Sequence, residues 1–232
     1  MRILPLVALV LLLSTQVVPA QVTMREDFDS LDRWEELHFP KIEAHTKYDI
    51  VPEGSNRVLR ARSDGSASAI VRPAPYNVYR RPHLRWRWKI DEVLKKGDAT
   101  RKKSDDYAIR VYVMFIYEPE NASRTKRIKY GLAKKVIGEY PPDSTLNYFW
   151  ANRPHAKRIL TNPYADEAKM IVLRTGNDDA GRWVEESVNI IEDYRKAFGT
   201  DPPARASLAI MSDTDNTLES ATAYIDWLEI SR

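Results

Sequence analysis

Nine short runs rich in β-branched and aromatic residues recur along the chain, each ended by Gly, Pro, Asn, Asp or a charged turn. They are RVLRARS (57–63), SASAIVRP (66–73), HLRWRWKI (83–90), YAIRVYVMFIY (107–117), LNYFWAN (146–152), KMIVLRTG (169–176), RWVEES (182–187), RASLAIMS (205–212) and ATAYIDWLEI (221–230). Runs of this composition, bounded by turn-forming residues, read as strands. Their number and spacing predict a mainly β protein, an antiparallel β-sandwich. One segment departs from the pattern. In NIIEDYRKAFG, Ile190, Tyr194 and Phe198 recur every four residues between an N-cap residue, Asn189, and a C-cap residue, Gly199, which predicts a helix over 189–198. No repeat and no Gly/Ser-rich linker divides the chain, so residues 21–232 read as a single domain.

The N-terminus reads differently. Arg2 precedes an apolar stretch from Ile3 to Leu13, polar Ser14, Thr15 and Gln16 end it, and Val18-Pro19-Ala20 supplies small residues at a cleavage position. A bilayer span needs about 20 apolar residues. Residues 1–20 are therefore expected to be a signal peptide cut after Ala20, and the mature chain to be periplasmic or secreted. The sequence contains no cysteine. Without cysteine there is no lipoprotein anchor, disulfide framework, thiol nucleophile or zinc ribbon, and an exported chain of this kind suits a bacterial periplasm. Removing Arg2 takes the formal charge from +3 to +2. Neither that charge nor the compartment nominates a nucleic acid, and no later segment is apolar enough to span a membrane.

Alternation within strands assigns faces. Tyr107, Ile109, Val111, Val113 and Phe115 form one apolar face, leaving Asp106, Arg110, Tyr112 and Met114 on the other. In 83–90, Leu84, Trp86, Trp88 and Ile90 alternate with Arg85, Arg87 and Lys89. If the two strands share a sheet, Arg85, Arg87, Arg110 and Tyr112 make one face. Such a face is either solvated exterior or a groove for an anionic glycan, whose carboxylates or sulfates arginine grips bidentately. Trp86 and Trp88 sit with aliphatic neighbours and are assigned to the core, as are Trp34, Trp150, Trp183 and Trp227.

Two acidic clusters stand at strand ends, Asp105-Asp106 before one run and Asp213-Thr214-Asp215-Asn216 after another. Oxygen-only ligands suit calcium, and Asp105, Asp213, Asp215 and Asn216 are the candidate ligands. The EF-hand pattern is absent, and Asx turns account for the same residues. Arg110 is the other group able to answer that charge. No P-loop, G-x-S-x-G, H-E-x-x-H or G-x-G-x-x-G occurs. The four histidines, His38, His45, His83 and His155, have no ligand spacing.

LRWRWKID, DDYAIRVYVMF, LNYFWAN, RWVEESVNIIEDYRKAFG and AIMSDTDNTLESATAYIDWLEI, taken in that order, resemble a group of exported bacterial proteins catalogued as domain of unknown function 3047. The resemblance spans about residues 25–231 and implies no activity. The last strand, AYIDWLEI, also looks like the closing strand of jelly-roll carbohydrate-binding modules, a likeness that implies a jelly-roll-like sandwich. That likeness makes Glu26 or Asp27 with Asp226 a second candidate calcium set. Three functions follow as expectations. The first is noncatalytic binding of a glycan or other envelope ligand by Asp106, Arg110, Tyr112, Arg85 and Arg87. The second is a carbohydrate-active lyase or hydrolase using Asp106, Arg110 and Tyr112, and the third is a protein-interaction scaffold.

Overall fold

The computed structural model describes residues 24–137 and 140–232, so residues 1–20, expected to be a signal peptide, lie outside the described residues. Its strands form two sheets. The first holds β1 (Met24–Glu26), β3 (Lys47–Glu53), β4 (Asn56–Asp64), β6 (His83–Ile90), β11 (Val184–Asn189) and β13 (Ser220–Ser231). The second holds β2 (Glu35–Leu37), β5 (Ala67–Asn77), β7 (Tyr107–Phe115), β8 (Ser144–Ala151), β9 (Ile159–Thr161), β10 (Ala168–Thr175) and β12 (Arg205–Asp213). Strand order is β11-β6-β13-β4-β3, with β1 also on β13, and β2-β5-β12-β7-β8-β10-β9. The two layers make a jelly-roll-like sandwich, antiparallel except for the β8–β10 pair, which is parallel. Each of the nine predicted runs lies on a strand. The strands not predicted are β1, β2 and β9, of three residues each, and β3, an edge strand whose KYDIVPE sequence mixes charges and proline with its apolar residues.

Two helices accompany the sheets among the described residues, where the sequence pattern predicted one. α1 (Arg124–Ile137) connects β7 to β8 and was not predicted. α2 (Ile190–Phe198) is the predicted helix. Asn189 Oδ1 accepts from the amides of Ile191 and Glu192, and Gly199 closes the helix at φ +75°, a left-handed conformation open to glycine at little cost. Phe115 and Tyr194 meet edge to face at 4.7 Å and fasten α2 to the sandwich.

Aromatic packing joins the layers. Trp86 and Trp88 of the first sheet are fully buried and contact Tyr148 and Trp150 of the second at 5.7 and 5.9 Å between ring centres. Trp34 is also buried. Trp183 and Trp227 correct the expectation for tryptophan, since both are half-buried on the outer face of the first sheet. An irregularity in the β13–β6 pairing between Ile225 and Trp227 switches the alternation, so that Leu228 and Ile230 continue the core and Trp227 turns outward beneath Arg25 and Arg85.

A second irregularity shapes β7. Met211 of β12 pairs with Arg110 and Asp213 pairs with Tyr107, so two β7 residues oppose one on β12. Below this bulge the faces exchange. Ile109, Val111, Val113 and Phe115 enter the main core as predicted, together with Ala108. Tyr107, predicted to lie with them, instead faces outward and packs at 4.6 Å against Phe149.

Candidate functional site

The outer face of the second sheet is built in rows across the strands. Leu37, Ala69, Met211, Arg110 and Phe149 lie in register on β2, β5, β12, β7 and β8, and Ala209, Tyr112 and Asn147 form the next row. A groove of about 520 Å³ runs over them. Its floor is Met211, Ala209, Tyr112 and Met114; Phe39 and Ile42 wall one side, Asn162 and Tyr164 the other, and Asp215 and Asn216 stand at one end.

Beneath that end lies a charged cluster. Arg110, 3 % exposed, pairs with Asp213 through Nη2 and lies 3.8 Å from Asp105. Its guanidinium also stands 4.8 Å from the Tyr107 ring centre and 5.7 Å from that of Tyr112, positions that favour a cation over a ring face. Tyr107 Oη donates to Asp105 at 2.8 Å, Asn162 donates to the other oxygen of Asp105 at 3.3 Å, and the Tyr107 amide donates to Asp213 at 3.3 Å. Asp106 is fully buried and accepts from Asn216 Nδ2 at 2.8 Å and from the Thr217 amide at 2.6 Å. The turn that brings these donors closes when the Leu218 amide bonds to Thr214 O at 2.8 Å, with Leu218 at φ +55°.

The loop before β7 is held down by Asn152, which donates to Asp106 O at 2.7 Å and accepts from the Leu94 amide at 2.9 Å. Gly97 is required there because a Cβ would overlap the Asn152 side chain.

The electrostatics follow from burial. Desolvation raises the pKa of Asp213 well above the carboxylate range, with Asp106 and Asp105 adding to the rise against the pull of Arg110. Desolvation likewise raises Asp105, and raises Asp215 with help from Asp106. For Arg110, burial works against the charge, yet Asp213, Tyr112 and Asp105 more than offset it and its pKa lies above the ordinary value. One fixed cation thus faces several carboxylates, and burial with mutual repulsion shifts their pKa values upward against its pull.

The structure therefore brings Asp105, Asp106, Arg110, Tyr112, Asp213, Asp215 and Asn216 together. It separates Arg85 and Arg87 from them, because β6 belongs to the opposite sheet. Arg85 lies 3.7 Å from Glu185, and Arg87 pairs with Asp226 at 2.6 Å. The predicted basic face does not exist, and the groove is acidic rather than cationic.

For a metal, Asp106, Asp213 and Asp215 present oxygens within 4.8 Å of one another, so among the acids the grouping keeps Asp213 and Asp215 of the predicted ligands Asp105, Asp213, Asp215 and Asn216 and has Asp106 in place of Asp105. The donors do not fit calcium. Both oxygens of Asp106 and both of Asp213 already accept hydrogen bonds, and Arg110 supplies the positive charge, whereas calcium takes six to eight oxygen ligands and is not shared with a buried guanidinium on the same carboxylate. The second candidate set is committed to cationic and amide partners: Asp226 accepts from Arg87 and Asn56, Asp27 from Arg25, and Glu26 faces Arg33. The groove walls at Phe39, Ile42, Asn162 and Tyr164 were not predicted, since they lie on loops whose only sequence signal is the Asn162-Pro163 turn.

Fold and site together define a β-sandwich with an apolar-floored groove over a buried charge cluster. The chain belongs to the family described as "Protein of unknown function (DUF3047)", whose model matches residues 32–229. No curated protein compared with it is significantly similar. Among solved structures, a family 11 carbohydrate-binding module from Clostridium thermocellum in complex with a β-1,3-1,4-mixed-linked tetrasaccharide is 8% identical, with 89% of this chain and 92% of that one covered at a TM-score of 0.43. A Bauhinia forficata lectin in complex with GalNAc is 10% identical over 90% and 97% of the two chains, at 0.43. The family 30 carbohydrate-binding module of a C. thermocellum cellulosomal cellulase is 11% identical over 84% and 88%, at 0.39.

Proposed function

We propose that this protein is an exported, noncatalytic binding domain that takes an uncharged glycan in the groove of the second sheet. The observation that supports it is the amphipathic lining. Met211, Tyr112 and Met114 offer an apolar floor to the C–H face of a sugar ring, and the Asp215 carboxylate, with the hydrogen-bonding capacity that Asn162, Tyr164 and Asn216 retain beyond their internal bonds, faces its hydroxyl edge. A net anionic ligand is disfavoured, since Arg110, the one cation lining the groove among the described residues, is already committed to Asp213 and Asp105. Catalysis is disfavoured because Asp105, Asp106 and Asp213 are buried in complete hydrogen-bond sets. Export rests on the Arg2 to Ala20 pattern alone.

A glycan array probed with residues 21–232 tests the reading. Neutral hits lost in Tyr164→Ala are expected. Release of shortened products from a hit would turn the reading toward an enzyme, and an empty array would turn it toward a scaffold.

A further inference from the structure

α1 presents a surface that the groove does not use. Residues 124–137 carry six cations, Arg124, Lys126, Arg127, Lys129, Lys134 and Lys135, and no acid. Tyr130 is the helix's anchor: it is 3 % exposed, stacks 4.4 Å from Tyr117 and donates to Pro142 O and Asp143 O. Lys126 and Lys129 are tied to Asp143 and Glu167 at the helix flanks. Among the described residues Arg124, Arg127, Lys134 and Lys135 have no ion-pair partner.

At about 100° per residue, Ile128 and Leu132 lie opposite Tyr130, one turn apart. They are 59 % and 60 % exposed. Arg124 and Lys135 flank this ridge. Beyond the helix, Tyr140 is 39 % exposed with Lys134 Nζ 4.4 Å from its ring centre.

We infer that α1 lies flat on an anionic lipid surface, Ile128 and Leu132 entering the headgroup boundary while the surrounding cations meet lipid phosphates. An apolar ridge rimmed by Lys and Arg is the pattern of an interfacial helix. A soluble polyanion would satisfy the cations but would leave both aliphatic side chains in water, which is why a bilayer fits better. The helix sits beside the groove, as Thr145 and Tyr164 line both the groove and the cavity under Lys129 and Tyr130. Docking there would hold the groove close to the membrane.

Co-sedimentation of residues 21–232 with vesicles tests this, using phosphatidylglycerol mixed with phosphatidylcholine against phosphatidylcholine alone. Binding is expected only to the anionic vesicles, and is expected to vanish at about 1 M salt, where charges are screened beyond about 3 Å. Neutralising Arg127 or Lys135 to Gln should weaken it about fivefold each. Ile128→Asn/Leu132→Asn, exposed changes that leave the circular dichroism spectrum intact, should weaken it more than tenfold. Undiminished binding by that double variant would overturn the proposal and mark a general polyanion site. A dimer in light scattering that the double variant dissociates, with no vesicle binding, would overturn it in favour of a second copy.

Discussion

Arg110 carries the site's energetics. It is buried with its charge matched by Asp213 and Asp105, and removing one partner of such a set leaves the others charged and unsolvated. Arg110→Met is therefore expected to cost about 3–5 kcal/mol in urea unfolding. Arg110→Met/Asp213→Leu should recover a large part of that loss, and a double mutant whose loss equals the sum of the singles would contradict the pairing. The same burial sets a pH dependence. Asp213, Asp105 and Asp215 have folded pKa values raised above the ordinary 3.8, so the folded chain binds more protons than the unfolded one. Their stabilisation is full below 3.8 and is lost as pH rises through the folded values. Stability should fall on raising the pH from about 4 toward neutrality, and Asp213→Asn should flatten the fall. An unchanged slope in that variant would show that Asp213 is not among the proton-holding groups.

At the scale of the strand, β7 separates what a sequence can show from what it cannot. Val111 is fully buried in the sandwich core and Met114 lies on the groove floor. Val111→Ala should cost about 1–3 kcal/mol in chemical denaturation and Met114→Ala clearly less. Equal losses would mean that the groove face is covered. Alternation revealed this division because side chains on a regular strand change faces at every residue. It failed at Tyr107 and Trp227, where bulges insert a residue and exchange the faces, a shift that depends on the partner strand. α2 was legible through Asn189 and Gly199. α1 was not, because its exposed Ile128 and Leu132 do not follow the usual rule that a helix's apolar stripe faces the protein.

The whole molecule decides which distant residues meet. Asp105, Asp106, Asp213 and Asp215 could each be picked out as acids at strand ends, but only the pairing of β7 with β12 gathers them and sets Asp105 and Asp213 on one guanidinium. Arg85 and Arg87 show the converse, since nothing local to HLRWRWKI reveals which of the two sheets receives it. The assembled cluster also predicts indifference to calcium. Saturating calcium and then excess chelator should leave the melting temperature unchanged, whereas a cation at 100 times its Kd would add about 2.7 kcal/mol. A rise of several degrees would restore the acids as ligands.

The central claim is that the groove, and not the arginine-bearing outer face of the first sheet, receives an uncharged glycan. The direct measurement is calorimetric titration of a neutral oligosaccharide from the array into residues 21–232, at low and high salt, for the native chain, Met211→Glu and Arg85→Ala/Arg87→Ala. The account predicts salt-insensitive binding that Met211→Glu abolishes and the double arginine variant leaves intact. Binding that salt weakens and that disappears with Arg85 and Arg87 would contradict it.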